Sequence, residues 1–494
     1  MENEPSAPKR PIWLACVAGA LVGLCLCSFL ILAASVFVIN RAARQGGQAP
    51  LSTVQAATPQ PPPELTATPS READETTPAA TPFPSPTRVP AQTATPVASS
   101  TRPAAQGPFA EEREEIEANV SDLRGLEALE PVEVAFLDTE ELRQRLEADS
   151  GEEYGPQEAR YDTLVLSAFD FLPADYDLYT LTLDLLTEQV AGFYDIEADE
   201  FVIVSDDDEF DGIEQLTHAH EYMHALQDQH YDLALLEDHA LDSERRFAVR
   251  ALAEGEATLL QLLYLQEGYF SQQEVLELLA SLGEVDTAVL DSAPPVIRAD
   301  LAFAYDQGLA FVQALYDQGG FAAVADAWAN LPESSEHIIH LDRYRAGDTP
   351  QVVAVAPLTD TLGSGWAQID EDSLGEFYLR QYLGQQLDDE AVETAATGWG
   401  GDRYRAYWNE GQGQLALALR QTWDSAGDRD EFAAGLTAYQ EARTGAAGAA
   451  GADGGLCWTA GDVVCLYLPG EASLLVRAPS RELAAQIAAA ALAG

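Results

Sequence analysis

A helix-rich α+β fold with a small sheet, followed by a smaller C-terminal α+β unit, is expected from three features of this 494-residue chain. Two short apolar segments, 189–195 and 201–205, flank the turn-like Ile196-Glu197-Ala198-Asp199 and read as a β-hairpin leading into a helix. Long segments of helical periodicity follow at 242–267, 295–317 and 373–388. From about Gly398 the pattern changes to short strands and turns around a single helix at 429–443, with an Ala-rich helix closing the chain.

Taken from the N-terminus, residues 11–40 carry no charge, with Lys9 and Arg10 before them and Arg41 and Arg44 after, which predicts one membrane-spanning helix behind a short cytoplasmic tail, 1–10. Residues 41–108 are rich in Pro, Thr, Ser and Ala, and 14 of the 27 prolines fall within 45–108. Such a composition buries no core and predicts an extended tether. Span and tether together predict a body displayed outside the membrane, divided into 109–392 and 393–494. Three of the five cysteines lie in the span, leaving Cys457 and Cys465 as a disulfide across a hairpin or as two buried thiols. The formal charge of -56, with Lys9 the only lysine, excludes nucleic acid as a partner.

Within the body, strand-like Val132 to Leu137 precedes a helix through 139–148. After the hairpin, Asp211 and Glu214 offer a helix start, and Ile213, Leu216, Ala219, Met223 and Leu226 form a buried stripe. The acidic run 206–209 lacks the glycine turn and bidentate glutamate of an EF-hand, so it reads as a solvated loop. The helix at 242–267 is apolar on nearly every side, so any carboxylate on it needs a partner.

Five of the seven histidines fall between His218 and His239, and two of them make His220-Glu221-Tyr222-Met223-His224. In an H-E-x-x-H helix the two imidazoles stand one turn apart and hold Zn²⁺, while the glutamate acts as base toward a metal-activated water. A hydrolytic zinc site needs a third protein ligand. Glu254 and Glu256 in Ala253-Glu254-Gly255-Glu256-Ala257 are the candidates, with Glu254 first, and they cannot share a helix face. For an oxyanion donor, His340 and Tyr344 are placed first, with His337 and Tyr305 behind them. His218, His230 and His239 read as surface or supporting residues.

These motifs resemble those of the gluzincin-type zinc metallopeptidases, in particular the bacterial peptidase MA-like proteins, over roughly residues 130–390. The likeness is carried by Ala219 to Asp228 and by Ala253 to Ala257. It implies a zincin-like domain, Glu254 as third ligand, and an edge strand, Phe201 to Ser205, that holds a peptide or protein substrate by backbone pairing. Many gluzincins place an acidic residue four positions after the glutamate ligand to orient a histidine, whereas this chain has Thr258; Asp228 is the expected replacement. The expected function is therefore a single-pass, extracytoplasmic zinc metallopeptidase with Glu221 as general base. The alternative is an inactive surface scaffold built on the same fold.

Overall fold

The computed structural model describes residues 108–494 except 189–191, 197, 205–209, 211, 237–240, 282–286, 452 and 494. The expected tail, membrane span, all but the last residue of the tether, the acidic run 206–209 with Asp211, and His239 lie outside the described residues. None of the described helices is long and apolar enough to cross a membrane.

The fold is a mixture of helix and sheet, with two sheets. The first helix, α1 (Ala110–Arg124), ends at Gly125, whose φ of 74° is left-handed and suits glycine. Strand β1 (Glu133–Leu137) follows, then a helix at Thr139–Glu153 and a second, α2 (Pro156–Ala168), opened by proline at its first turn. After a further helix at Leu178–Glu188, the hairpin β2 (Gly192–Asp195) and β3 (Glu200–Val204) forms as expected, and both strands pack against α3 (Gly212–Tyr231).

One expectation is overturned in this sheet. Its order is β1-β3-β2, with β1 parallel to β3 and β2 antiparallel to it, so the strand through Phe201 is central and has no open edge. Phe201, Val202 and Ile203 are buried in succession, as a strand flanked on both sides requires. The strand edge beside α3 belongs to β2 instead, because the backbone N–H of Tyr194 points away from β3 and donates to Glu221 on α3.

Helix α4 (Ser243–Glu267) starts at Asp242, whose carboxylate accepts from Glu244 N at 3.1 Å, and stops at Gly268 with φ 90°. It crosses α5 (Pro295–Gly319) with backbone against backbone. A Cβ added to Gly255 would lie 2.3 Å from the Gly308 carbonyl carbon and oxygen, and one added to Gly308 would lie 2.1 Å from Ala251 O. Only glycine permits this approach, and the crossing fixes the helix that carries Glu254 against the one that carries Tyr305.

The second sheet is wholly antiparallel in the order β4-β5-β6-β10-β9-β8-β7. Its strands are β4 (Ala367–Asp372), β5 (Trp399–Asn409), β6 (Gln414–Trp423), β7 (Ala449–Ala450), β8 (Leu456–Ala460), β9 (Asp462–Tyr467) and β10 (Ser473–Ala478). Between them come α6 (Gly375–Gly384), a helix at Asp389–Ala396 and α7 (Ala426–Thr444), and α8 (Arg481–Leu492) closes the fold. Cys457 and Cys465 face each other across β8 and β9 and are disulfide-bonded, with Cα atoms 4.1 Å apart. This sheet begins at Ala367, ahead of residue 393, and its core takes in Leu164, Val165, Ala168 and Phe169 from α2 and the turn after it. The two halves of the body thus share this cluster.

Candidate metal centre

Helix α3 is buried from Leu216 to Gln227 and presents His220 and His224 to Glu254 of α4 and Glu221 to Tyr194 of β2. His220 Nε2 and His224 Nε2 are 3.1 Å apart, and Glu254 Oε2 lies 3.2 Å from the first and 3.3 Å from the second. The three donors form a nearly equilateral triangle. Metal bonds of about 2.0–2.1 Å in a tetrahedron set donor–donor edges of about 3.3–3.4 Å, so the spacing fits a zinc ion holding three protein ligands and one open position. Among the described residues, His220, His224 and Glu254 are the one group of His, Cys, Asp or Glu arranged to hold a metal.

Charge in this cluster is strongly coupled. Burial holds the His220 imidazole below its ordinary value. Burial also opposes charge on His224, but the Glu254 carboxylate outweighs it and lifts His224 to about 9. Glu254, despite burial, is drawn down to about 2 by His224 and His220. The Glu254 carboxylate and the His224 imidazolium thus stabilise one another in the interior. Burial pushes the Glu221 carboxyl well up, while His224 and the Tyr194 N–H pull it down. Glu221 Oε2 accepts from Tyr194 N at 2.9 Å, and its Oε1 has no hydrogen-bond partner among the described residues.

Glu256 points elsewhere, as helix geometry requires of a residue two positions from Glu254. Its carboxylate is fully buried and accepts from Arg124 Nε at 2.5 Å, Gln227 Nε2 at 3.0 Å and Trp328 Nε1 at 2.6 Å. Both of its oxygens are engaged by donors away from the histidines, which resolves the choice between the two glutamates in favour of Glu254 as the residue facing them.

Asp228 does not support a histidine. It accepts from Tyr194 Oη at 3.0 Å and from Leu233 N at 2.8 Å, tying β2 to the end of α3. The residue on His224 is Gln227, whose Oε1 lies 2.7 Å from His224 Nδ1. Sequence reasoning passed over it, although a position three residues along the same helix from a ligand is a neighbour on the same face. Thr258 is buried and its Oγ1 has no hydrogen-bond partner among the described residues.

The two oxyanion donors placed first are engaged with other partners. His340 Nε2 pairs with Glu376 Oε1 at 2.9 Å, and Tyr344 Oη donates to the Asn330 carbonyl at 2.8 Å. Tyr344 lies in the short helix Leu341–Ala346 and His340 is the residue that joins it to the helix Ser335–Ile339, and neither bonds to His220, Glu221, His224 or Glu254. His337 faces the Asp348 carbonyl. Tyr305 is the candidate that the fold brings to the site, its ring centroid 6.4 Å from that of His220. His218 pairs with Glu117 in the interior, and His230 bonds the Glu127 carbonyl.

Beside His340, Glu336 is buried with Oε1 unpartnered among the described residues, and burial followed by the nearby Glu376 pushes its carboxyl up to about 8. The folded protein then retains a proton that the unfolded chain releases near pH ~4.3, so stability declines as pH rises from there through 8. Glu336→Gln should flatten that decline. Unfolding midpoints at about pH 5 and about pH 9 measure it, and equal losses in parent and variant would refute the assignment.

A family model described as a domain of unknown function (DUF8575) matches residues 361–488, a stretch that begins just ahead of β4 and runs into α8. No curated protein and no solved structure matches the chain.

Proposed function

We propose that this chain is a zinc metallopeptidase, anchored by its N-terminal segment and acting outside the membrane. The observation that carries the reading is the triangle of His220, His224 and Glu254 with the Glu221 carboxyl beside it. Bound Zn²⁺ would supply a Lewis acid that polarises the scissile carbonyl and acidifies water at neutral pH. Glu221 takes the proton of the attacking water through Oε1 and delivers it to the departing amine, while Tyr194 N–H holds Oε2 in place. Tyr305, whose ring lies 6.4 Å from that of His220, would be the donor to the developing oxyanion. The edge of β2 that is not paired with β3 is suited to align a peptide by main-chain pairing, the role first assigned to the strand through Phe201. An oxidising compartment accounts for the Cys457–Cys465 disulfide and agrees with the tether that precedes the body.

Metal content tests the ligand set. The full chain, stripped and reloaded, is expected to retain one zinc after exhaustive dialysis, and Glu254→Ala to lose it while keeping its helical circular dichroism. A folded parent without zinc would defeat the proposal.

A further inference from the structure

We infer that Gln227 is a positioning residue that fixes which nitrogen of His224 is free for metal, and that helix α1 holds Gln227 in that role through Arg124 and Glu256. The inference rests on the metallopeptidase reading and assigns it a support.

An amide side chain can turn over and exchange its oxygen and nitrogen, so its orientation must follow from its partners. Gln227 Nε2 lies 3.0 Å from the Ala253 carbonyl and 3.0 Å from Glu256 Oε2, and both are acceptors. Turning the amide over would aim its oxygen at two other oxygens in a buried site, so Nε2 stays there and Oε1 faces His224 Nδ1. An acceptor at that position requires a proton on Nδ1. The lone pair of the neutral ring is then left on Nε2, the atom that completes the triangle with His220 and Glu254.

Glu256 cannot swing away to release the amide. Arg124 Nε donates to one of its oxygens and Trp328 Nε1 to the other, and Arg124 Nη2 also donates to Tyr231 Oη at 2.9 Å. Tyr231 in turn stacks on Trp328, with centroids 4.7 Å apart and planes 5° from parallel. Arg124 is the last residue of α1. The helix through which residues 1–107 join the body therefore reaches the metal site through three successive side chains. His220 has no such support, since its Nδ1 is buried without a hydrogen-bond partner among the described residues. The effect of losing Gln227 should consequently fall on one ligand.

The experiment compares full-length parent, Gln227→Met and Gln227→Glu for Zn²⁺ affinity by chelator competition, for unfolding of the metal-free protein, and for the His224 Nδ1–H resonance in the zinc-loaded state. Gln227→Met keeps side-chain length and leaves Glu256 its two other donors. It is expected to bind zinc about 10–100-fold more weakly and to lose the protected Nδ1–H resonance. Gln227→Glu keeps an acceptor on His224 but sets a second carboxylate beside Glu256. It is expected to hold zinc within a few-fold of the parent and to unfold at lower temperature. Zinc affinity in Gln227→Met within twofold of the parent would overturn the inference. If that variant does not fold, Gln227→Glu decides: a loss of zinc affinity of about tenfold or more in it would overturn the inference equally. A parent that binds no zinc would instead overturn the metallopeptidase reading, and the parent alone reveals that.

Discussion

Glu221→Gln should abolish most peptide hydrolysis, by about 10²–10⁴-fold in kcat, while zinc remains bound in parental amount. The reasoning is geometric. The Glu221 carboxyl is fully buried, one oxygen accepts from Tyr194 N at 2.9 Å, and the other has no protein partner among the described residues. A glutamine can keep the first bond with its carbonyl oxygen and fill the same volume, so the fold and the three metal donors are left intact. What it cannot do is accept a proton. The kinetic signature is thus a fall in kcat with little change in KM, because proton transfer belongs to the transition state and not to substrate binding. Hydrolysis by the variant at the parental rate, on a peptide that the parent cleaves, would eliminate Glu221 as base.

The second large effect is expected at a residue with no chemistry of its own. Gly308→Ala adds one carbon at a point 2.1 Å from Ala251 O, 3.0 Å from Ala251 C and 3.2 Å from its Cα, all of them backbone atoms. Alanine favours a helix over glycine by about 1 kcal/mol, but overpacking against a backbone that cannot rotate away costs about 1–3 kcal/mol or more. The clash therefore wins. At about 2.1 cal/mol/K of unfolding entropy per residue, a body of this size shifts by only about 1 °C in Tm per kcal/mol, so a drop of roughly 1–3 °C is expected. Separation of α4 from α5 also moves Tyr305 relative to His220, and kcat should fall further than stability alone explains. Gly384→Ala, whose new carbon would meet only Val392 Cγ2 at 3.9 Å, is the comparison, and it should be neutral or better. Equal behaviour of the two variants would remove the crossing as a determinant.

The H-E-x-x-H was legible because its geometry is contained in one helix, where the sequence interval is also the spatial one. Glu254 was legible because an apolar helix has few reasons to carry a carboxylate. What was not legible depends on elements distant in the chain. Phe201 to Ile203 reads as a strand from composition, but its place between β2 and β1 depends on a parallel partner that lies more than sixty residues upstream. Its unbroken apolar run was the available sign of a central strand, and the residues' expected alignment with a substrate concealed it. His340 and Tyr344 stand first as oxyanion donors in the sequence, yet Glu376 and the Asn330 carbonyl claim them, and neither partner is marked by local pattern. Glu256 and Gln227 stood inside the quoted motifs throughout; their roles emerge only when Arg124 and Trp328 arrive from outside them.

The turn after α2 carries a consequence for portability. Phe169 is buried in the core of the seven-stranded sheet, and Asp170, held at φ 60°, receives Arg443 and Arg477 from that sheet's side of the fold. Neither residue belongs to the stretch 361–488. Grafting that stretch alone onto another protein would leave an apolar socket open and would leave Arg443 and Arg477 with Asp462 alone where they now share two carboxylates. A host for that stretch would have to supply an apolar plug and a carboxylate in place of Phe169 and Asp170.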